Sequence, residues 1–413
     1  MTVGPCVWYV SKYVSNAEPG TQPGRPLGIM RALAGHGVRA VIVTSSTAYV
    51  GDESVSIEDP ESREQNGVAV YRVRTTRYSH AKSFQRIVSW LVFELNLWRL
   101  DTDRMPRPDA VIVSCPSPLT ILNGLRIRRR YRCRLIYEIR DIWPLSLIEE
   151  GGFSSRNPLV AGLAILEKIG YRRADVIIGL MPNLSEHVQA VTGSTKTAVC
   201  IPMGVDAGLN DPENESSAEE FVEQWPMSKL VVGYVGSLGI ANAMETFFQC
   251  VSGLQTNDRI HFVVMGDGQL RTDYVKRFGS LSNLTFVPRV ERMSVGRFLA
   301  QCDIVYFGTS RASLWRFGMS LNKVVDYMLA AKPIVGSYSG FPSMINEADC
   351  GSFVPCEDVP ALRQEILRYS EMSKTQLAEI GERGRYWLLR NRSFDQLAKK
   401  LLAAAFQQDK NGD

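Results

Sequence analysis

The sequence predicts an α/β protein built from two doubly wound parallel sheets. Short runs rich in β-branched and aromatic residues alternate with longer segments of helical periodicity, which is typical of buried parallel strands joined by crossover helices. Two such series occur, and a polar stretch from Gly208 to Lys229 separates them. The length of 413 residues agrees with this division, since domains average about 150 residues.

Eleven runs are predicted strands, six in the first series and five in the second. In order they are Cys6–Val10, Ala40–Thr44, Val68–Val73, Asp109–Ser114, Leu135–Ile139 and Val176–Leu180, then Leu230–Val235, Ile260–Met265, Leu284–Val287, Asp303–Phe307 and Pro333–Gly336. We expect an N-terminal domain over residues 1–206 and a C-terminal domain over 207–389. A last helix, at about 390–413, is expected to pack back on the N-terminal domain. The acidic stretch Glu213–Glu220 is typical of a linker.

Composition excludes several protein classes. Apolar residues make up 45% and charged residues 22%, which is ordinary for a globular protein and unlike a disordered, collagen-like or coiled-coil chain. The eight cysteines form no C-x-x-C pair and there are four histidines, so the sequence predicts no metal site and a reduced, cytoplasmic protein. It contains no apolar run of 18 residues and no signal-peptide pattern at its start.

The net charge of +4 is unevenly distributed. Residues 1–200 hold 25 Lys and Arg against 18 Asp and Glu, a balance of +7, whereas residues 201–413 hold 22 against 25, a balance of −3. A basic N-terminal half favours an anionic partner such as phosphates, a membrane surface or nucleic acid, and a merely solvated arginine surface is the alternative. Nucleic acid is the least favoured partner, since no aromatic platform is interleaved with the basic residues.

Two places in the first series are candidate sites. The loop after Cys6–Val10 contains Gly20 and Gly24 and lies where α/β sheets bind ligands, although it lacks the G-x-G-x-x-G pattern of dinucleotide sites. A solvent loop is the alternative. Further on, Arg140 and Asp141 directly follow a buried strand, where charges are costly unless they are paired or functional. An internal Arg–Asp or Glu–Arg ion pair is the alternative there.

Glycine turns end two strands of the second series. Gly236-Ser237 follows one strand, and Gly266 and Gly268 follow the next. Glycine permits close approach of the backbone to a ligand, although either turn by itself is more typical of a plain β–α connection.

The segment from Phe317 to Pro333 is the most informative stretch. Apolar residues at i, i+3, i+4, i+7 and i+8 from Leu321 predict a helix with one buried face. Ser320 is a candidate N-cap, and the helix start with Asn322 and Lys323 forms a candidate anion site. Asp326 lies one turn further along, at a distance suited to a sugar hydroxyl beyond a phosphate. An ordinary amphipathic helix is the alternative.

These residues resemble glycosyltransferase family 4, the retaining nucleotide-sugar transferases of the GT-B fold. Family members carry an acidic–Ala–Met–Ala–Gly–Lys–Pro–Val stretch, which here reads Asp-Tyr-Met-Leu-Ala-Ala-Lys-Pro-Ile from Asp326. Matching segments occur in the family's order over nearly the whole chain: the glycine loop, Arg140–Pro144, Ile201–Asp206, and Gly266–Gly268 followed by Phe286–Arg289. The subgroup that transfers deoxy amino sugars such as N-acetylfucosamine looks closest, through its Arg-Asp-Leu-Trp-Pro and Asn-Lys-x-x-Asp-Tyr-Met patterns.

The sequence departs from the family pattern at several positions. The family's first signature acid would stand at position 318, which is Gly318, and the second is Asp326 rather than glutamate. Arg140 replaces a usual histidine, and the basic residues that often follow the turn at Gly236 are absent. Neutralisation of the leaving diphosphate then falls on the helix N-terminus, Lys323 and Arg289.

The resemblance implies two facing domains with the donor in the cleft between them. The expected reaction moves a UDP-linked amino or deoxy amino sugar, with retention and without a metal or other cofactor, to a glycan or polyprenyl-diphosphate-linked acceptor of bacterial surface polysaccharide. The implied catalytic residues are Arg140, Asp141 and Lys323. The implied donor-binding residues are Gly24, Gly236, Ser237, Gly266, Gly268, Arg289, Ser320, Leu321, Asn322 and Asp326. A nucleotide-sugar 2-epimerase and a non-catalytic sugar-nucleotide-binding protein are the alternatives.

Two segments also predict peripheral association with the inner face of the cell membrane. Ser83–Leu100, flanked by Lys82 and containing Arg99, is aromatic-rich, and Arg126–Arg134 holds six arginines in nine residues. One helical side is expected to carry most apolar positions of the first segment: Phe84, Ile87, Val88, Leu91, Leu95, Leu97 and Trp98, broadened by Trp90, Phe93 and Leu100. A helix packed on the sheet with solvated arginines nearby is the alternative.

Overall fold

The computed structural model describes residues 4–14, 22–46, 63–65, 67–76, 84–115, 117–209, 225–226, 228–290, 292 and 294–406. The predicted linker Glu213–Glu220, Gly20, Lys82 and Ser83 lie outside them, as do the side chains of Phe84 and Arg86. The chain divides into two compact units. The first contains the strand Cys6–Val10, Gln22–Asp206 and the residues from Phe394 onward, and the second contains Ala207–Ser393.

The first unit is built on an eight-stranded sheet of order β3-β4-β2-β1-β5-β6-β7-β8. Seven strands are parallel, and β3 pairs antiparallel with β4 at one edge. The strands are β1 (Cys6–Val10), β2 (Arg39–Ser45), β3 (Arg63–Gln65), β4 (Val68–Val73), β5 (Ala110–Ser114), β6 (Arg134–Ile139), β7 (Val176–Gly179) and β8 (Ala198–Cys200).

Helices cover this sheet because each carries one apolar face. They are α1 (Arg25–Gly35), α2 (Phe84–Arg99), α3 (Thr120–Tyr131), α4 (Leu145–Glu149), α5 (Pro158–Arg173) and α6 (Leu184–Thr192), and the unit also takes in the last helix of the chain, α14 (Phe394–Phe406). The helix α14 packs against α1. Its Phe394 and Leu401 join Leu27 and Met30 of α1 in one buried cluster.

The second unit is built on a six-stranded parallel sheet of order β11-β10-β9-β12-β13-β14. Its strands are β9 (Leu230–Val235), β10 (Ile260–Met265), β11 (Leu284–Val287), β12 (Ile304–Gly308), β13 (Ile334–Ser337) and β14 (Gly351–Val354). Its helices are α7 (Met244–Gly253), α8 (Arg271–Phe278), α9 (Ser294–Ala300), α10 (Asn322–Leu329), α11 (Met344–Ala348), α12 (Val359–Ser370) and α13 (Lys374–Arg392).

The predicted fold class of two doubly wound parallel-sheet domains is confirmed. All eleven predicted strands are present, with ends that differ by at most one residue. The sequence analysis missed β3, β8 and β14, which have only three or four residues each and are too short to show a periodicity.

The prediction that the apolar positions of α2 lie mostly on one side is wrong, because they are divided between a buried and an exposed face. Trp90, Phe93 and Leu97 are the buried side chains, whereas Leu91 and Leu95 are 48% and 57% exposed. Hydrogen bonds hold the face with Trp90 and Glu94 towards the protein interior. The indole N–H of Trp90 donates to the hydroxyl of Tyr13 at 2.8 Å, and Glu94 accepts hydrogen bonds from α3.

Within the part of the chain that the structure describes, no helix is both long enough and apolar enough to cross a bilayer.

Candidate functional site

The carboxyl edge of the first sheet brings together the residues that follow β1, β5 and β6. The chain runs from β1 towards β4 on one side and returns to the other side of β1 as β5, so the sheet reverses its order between β1 and β5. Ligands of open α/β sheets bind outside the carboxyl ends of strands at such a point. Gly24, Arg140 and Asp141 belong to this unit.

A buried ion pair lies beneath this edge. The carboxylate of Glu138, 1% exposed, accepts hydrogen bonds from the guanidinium of Arg25 and the hydroxyl of Tyr9. Burial raises the pKa of Glu138, but Arg25 and Arg140 outweigh it and hold that pKa below its ordinary value of 4.5. Glu138 thus forms an internal ion pair with Arg25, which lies outside the segment for which the sequence analysis considered such a pair.

The same arginine holds the backbone that leads out of the first unit. Its guanidinium donates to the carbonyl of Pro202 at 3.0 Å and to that of Ile201 at 2.6 Å. Nearby, the amide side chain of Gln22 exchanges two hydrogen bonds with the backbone of Asp206, at 3.0 and 2.7 Å. The residues around Gly24 are thus fixed against the segment Ile201–Asp206.

Arg140 and Asp141 lie further out, at the surface of this edge. Arg140 is half-buried and Asp141 is exposed. Cys115 holds their backbone, since its Sγ accepts from the N–H of Arg140 at 3.2 Å and donates to the carbonyl of Asp141 at 3.3 Å. Burial raises the pKa of Cys115 to about 12, so this group remains a thiol that can donate.

The sequence analysis missed Arg25 as a partner of Glu138. One signal was available, because an arginine in the first turn of a helix opposes the helix dipole and has to be stabilised by another contact. The partner itself lies 113 residues away, and no local pattern names it.

In the second sheet the order reverses between β9 and β12. The turn after β9 contains Gly236 and Ser237, and α10 begins shortly after β12. The two elements meet, because a side-chain carbon added at Gly236 would lie 3.3 Å from the Nζ of Lys323. The predicted site residues Gly236, Ser237 and Lys323 therefore form one cluster at this reversal point.

Gly266 and Gly268 allow two neighbouring backbone turns to approach closely. A Cβ at Gly266 would lie 1.9 Å from the carbonyl oxygen of Gly236, and one at Gly268 would lie 2.7 Å from that of Leu238. Both glycines have positive φ, 146° and 153°. The two turns therefore pack backbone against backbone, and a side chain at either glycine would push them apart.

The ammonium of Lys323 makes three contacts with two residues that flank this turn. It donates to the Oδ1 of Asn242, lies 3.3 Å from the hydroxyl of Tyr234 and sits 4.9 Å from the centre of the Tyr234 ring. Tyr234 and Asn242 each donate to the carbonyl of Ser237, both at 2.8 Å. No carboxylate is among these contacts, and desolvation lowers the pKa of Lys323 to about 8.

The helix α10 starts later than the sequence analysis placed it. Its N-cap is Leu321, no side chain caps it, and Asn322 is its first residue. The expected cap by Ser320 is therefore wrong, because Ser320 lies one residue before the capping position. The first residue of the helix, Asn322, is exposed.

Asp326 is engaged by a residue that the sequence analysis did not single out. Arg292 binds both carboxylate oxygens of Asp326, at 2.6 and 2.9 Å. Burial outweighs this arginine and raises the pKa of Asp326 above its ordinary value. Arg289, the predicted diphosphate ligand, is exposed in the loop after β11.

No group of three or more histidine, cysteine, aspartate or glutamate side chains suited to a metal ion occurs among the residues described.

Comparison with known protein families accounts for both units. Residues 25–204 match the model of the glycosyl transferase 4-like domain, and residues 229–371 match that of glycosyl transferases group 1. The chain is a glycosyltransferase of the GT-B fold. No curated protein sequence matches it.

Solved structures share the fold of this glycosyltransferase at low sequence identity. Sucrose-phosphate synthase from Thermosynechococcus elongatus aligns at 14% identity over 96% of this chain and 97% of that one, with a TM-score of 0.73. HepE of Anabaena in complex with UDP-glucose aligns at 14% identity over 96% and 99%, with a TM-score of 0.63. An E. coli trehalose-6-phosphate structure bound with UDP-2-fluoro glucose aligns at 13% over 98% and 99%, with a TM-score of 0.70.

Tyr234, Asn242 and Arg292 of the glycosyltransferase were missed in the sequence analysis. Asn242 lies 81 residues before Lys323, and Arg292 lies 34 residues before Asp326. Their contacts depend on how β9, β11 and α10 come together, which no spacing along the chain encodes.

Proposed function

We propose that this glycosyltransferase moves a UDP-linked amino or deoxy amino sugar, with retention of configuration, to a glycan or lipid-linked acceptor in bacterial surface-polysaccharide assembly. The observation that carries the donor assignment is the ammonium of Lys323, held against Gly236 at the reversal point of the second sheet. Structures of the same fold with UDP-glucose and UDP-2-fluoro glucose support a nucleotide-sugar donor.

The chemistry of the donor matches this cluster. A leaving nucleoside diphosphate accumulates negative charge in the transition state, and fixed cations and N–H groups stabilise that charge most. Lys323 supplies one cation without a carboxylate partner among its contacts, and the start of α10 supplies the positive end of a helix dipole. This arrangement neutralises a diphosphate without a metal ion.

A donor panel tests the proposal directly. The purified protein is incubated with UDP-linked sugars, with and without a lipid-linked acceptor, and the release of UDP is measured. Acceptor-dependent UDP release supports transfer. A 2-epimerase would convert the UDP-linked sugar into its epimer with no net release of UDP, and a binding protein would leave it unchanged, so either result, measured on the recovered nucleotide sugar, would contradict the proposed reaction.

Asp326 is proposed to hold a hydroxyl of the donor. Its carboxylate lies one turn beyond Lys323 on α10 and is oriented by Arg292, which binds both of its oxygens. A carboxylate so placed accepts a hydrogen bond from a ribose or sugar hydroxyl.

Asp326→Asn should weaken UDP binding at least tenfold by calorimetry, because it removes the charge that orients both the hydroxyl and Arg292. Asp273→Asn is the matched control, since Asp273 is an exposed helical carboxylate that also pairs with an arginine, at 3.2 Å. Equal UDP affinity in both variants would remove Asp326 from the donor site.

Arg140 and Asp141 are proposed to act on the acceptor or the transferred sugar from the first unit. Both residues follow β6 directly at the carboxyl edge, where Arg140 is half-buried, Asp141 is exposed and Cys115 fixes their backbone. A cation and an anion are thus adjacent in the chain at this edge.

Arg140→Ala should lower transfer at least tenfold while UDP binding stays unchanged, since it removes a cation from the acceptor side alone. Arg156→Ala, at an exposed position of the same unit, is the control. A variant that melts earlier but keeps its specific activity would assign Arg140 to support of the buried carboxylate instead.

Peripheral membrane association is proposed for the first unit. The exposed residues of α2 form a strip at i, i+4 and i+7, Leu91, Leu95 and Trp98, with Trp98 53% exposed. The guanidinium of Arg126 lies 4.7 Å from the centre of the Trp98 ring. Apolar side chains beside arginines match the interface of an anionic leaflet, where each basic residue contributes about 1 kcal/mol.

The wild-type protein should float with vesicles of anionic lipid at low salt and lose that binding as salt rises. Leu91→Ser/Leu95→Ser should bind at least fivefold less, because the strip no longer inserts, whereas Val275→Ser, an exposed position of the second unit, should bind like wild type. Absence of wild-type binding at low salt would point to an acceptor that is free in solution.

A further inference from the structure

A cavity lined by arginines lies at the opposite edge of the first sheet, away from Arg140 and Asp141. It has a volume of about 920 Å³ and opens between the last turns of α3 and α5, where β6 and β7 begin. Six charged side chains line it: Arg128, Arg129, Arg132, Arg134, Arg173 and Asp175. Five positive charges stand against one negative charge, which leaves a net charge of +4.

The one negative charge, on Asp175, is paired within the protein. Asp175 accepts from the guanidinium of Arg128 at 2.5 Å and from the backbone N–H of Leu135 at 2.8 Å, and Arg128 also donates to the carbonyl of Arg173 at 2.9 Å. Arg128 and Asp175 therefore form a structural pair that joins the ends of α3 and α5.

Three of the other four arginines are candidate ligands for a bound group. The side chains of Arg129, Arg132 and Arg173 are exposed, and within the described ranges none of them forms a hydrogen bond or ion pair. Basic residues in the last turn of a helix are favoured by the helix dipole. That interaction acts within the last turn and does not require the arginines of two helices to line one cavity. Guanidinium groups that converge on one cavity match the geometry of phosphate oxygens, which they bind in pairs of hydrogen bonds.

The wall of the cavity also has an apolar part. Leu122, which is 43% exposed, Leu125 and Ile169 lie on the sides of α3 and α5 that face the cavity. An inorganic ion alone would leave this wall in water, whereas an ester with a carbon chain or ring would cover it.

We propose that this cavity binds a phosphate or diphosphate ester, with Arg129, Arg132 and Arg173 as its ligands and Leu122, Leu125 and Ile169 against its organic part. The site is separate from the donor cluster around Lys323, which belongs to the other unit. The phosphate belongs either to the headgroup of a membrane lipid or to a soluble ester, and the two sources are distinguished by experiment.

The test compares two variants with the same change of charge. Arg129→Gln/Arg173→Gln removes two cations from the cavity, and Arg104→Gln/Arg156→Gln removes two exposed cations of the same unit outside it. Inorganic pyrophosphate is titrated calorimetrically into the wild type and both variants with UDP in excess, which occupies the proposed donor site. We expect the dissociation constant to rise at least tenfold in the cavity variant and to change less than twofold in the control.

Flotation with phosphatidylglycerol vesicles shows whether the bound phosphate belongs to a lipid headgroup or to a soluble ester. Loss of vesicle binding in the cavity variant alone assigns the phosphate to a lipid headgroup, and unchanged vesicle binding together with weakened pyrophosphate binding assigns it to a soluble ester. Equal pyrophosphate affinity in all three proteins, or no pyrophosphate binding by the wild type, overturns the proposal. Failure of the donor site leaves this result intact, since pyrophosphate bound near Lys323 is insensitive to the cavity variant.

Discussion

Replacing Arg25 with methionine should lower the free energy of unfolding of the first unit by about 3–5 kcal/mol, because it leaves the carboxylate of Glu138 buried without its cation. The change also removes the hydrogen bonds that hold the carbonyls of Ile201 and Pro202. Hydrogen exchange of β1 and β6 amides in urea measures the loss in the unit that carries the pair.

The double variant Arg25→Met/Glu138→Gln is the control for this prediction. It removes the buried charge together with its partner, so it should recover part of the lost stability. A single variant as stable as the wild type, or a double variant less stable than the single one, would contradict the role assigned to the pair.

The same pair predicts a dependence of stability on pH. Since the folded protein holds the pKa of Glu138 below 4.5, the unfolded chain binds the proton more readily. The stabilisation from this carboxylate is therefore complete above about pH 4.5 and is lost as the pH falls through the lower pKa of the folded state. The Arg25→Met/Glu138→Gln variant should lack this component of acid unfolding.

Replacing Lys323 with alanine should lower kcat/KM at least tenfold, about 1.4 kcal/mol of transition-state stabilisation. The reason is that its ammonium is the cation held against the Gly236 turn. Lys276→Ala is the matched control, because Lys276 is an exposed lysine of the same unit. An unchanged kcat/KM in the Lys323 variant would remove this residue from the mechanism.

The pKa of Lys323 gives a second measurement on the same residue. Desolvation places it at about 8, so the free enzyme loses this cation as the pH rises through 8. The profile of kcat/KM reports groups of the free enzyme and should fall above pH 8. Lys323→Arg should retain activity beyond that pH, because a guanidinium stays charged. A profile that falls identically in both proteins would assign the titration to another group.

The sequence by itself determined the architecture. Buried parallel strands carry β-branched runs such as Ile260–Met265, and their crossover helices carry one apolar face, so the two periodicities define the order of elements. Helix α10 was predicted for the same reason, as was the position of Lys323 in its first turn. These features are local, because each depends on neighbours within one or two turns of the chain.

Tertiary structure decided the partners of the charged residues. Arg25 meets Glu138 across 113 residues, Lys323 meets Asn242 across 81, and Arg292 reaches Asp326 from another loop. The exposed strip of α2 was decided in the same way, since Trp90 turned inward towards the hydroxyl of Tyr13 and left Leu91 in solvent. Hydrophobic periodicity records which side of an element is apolar, but a polar contact depends on two atoms meeting within about 3 Å, and only the packed chain sets that distance.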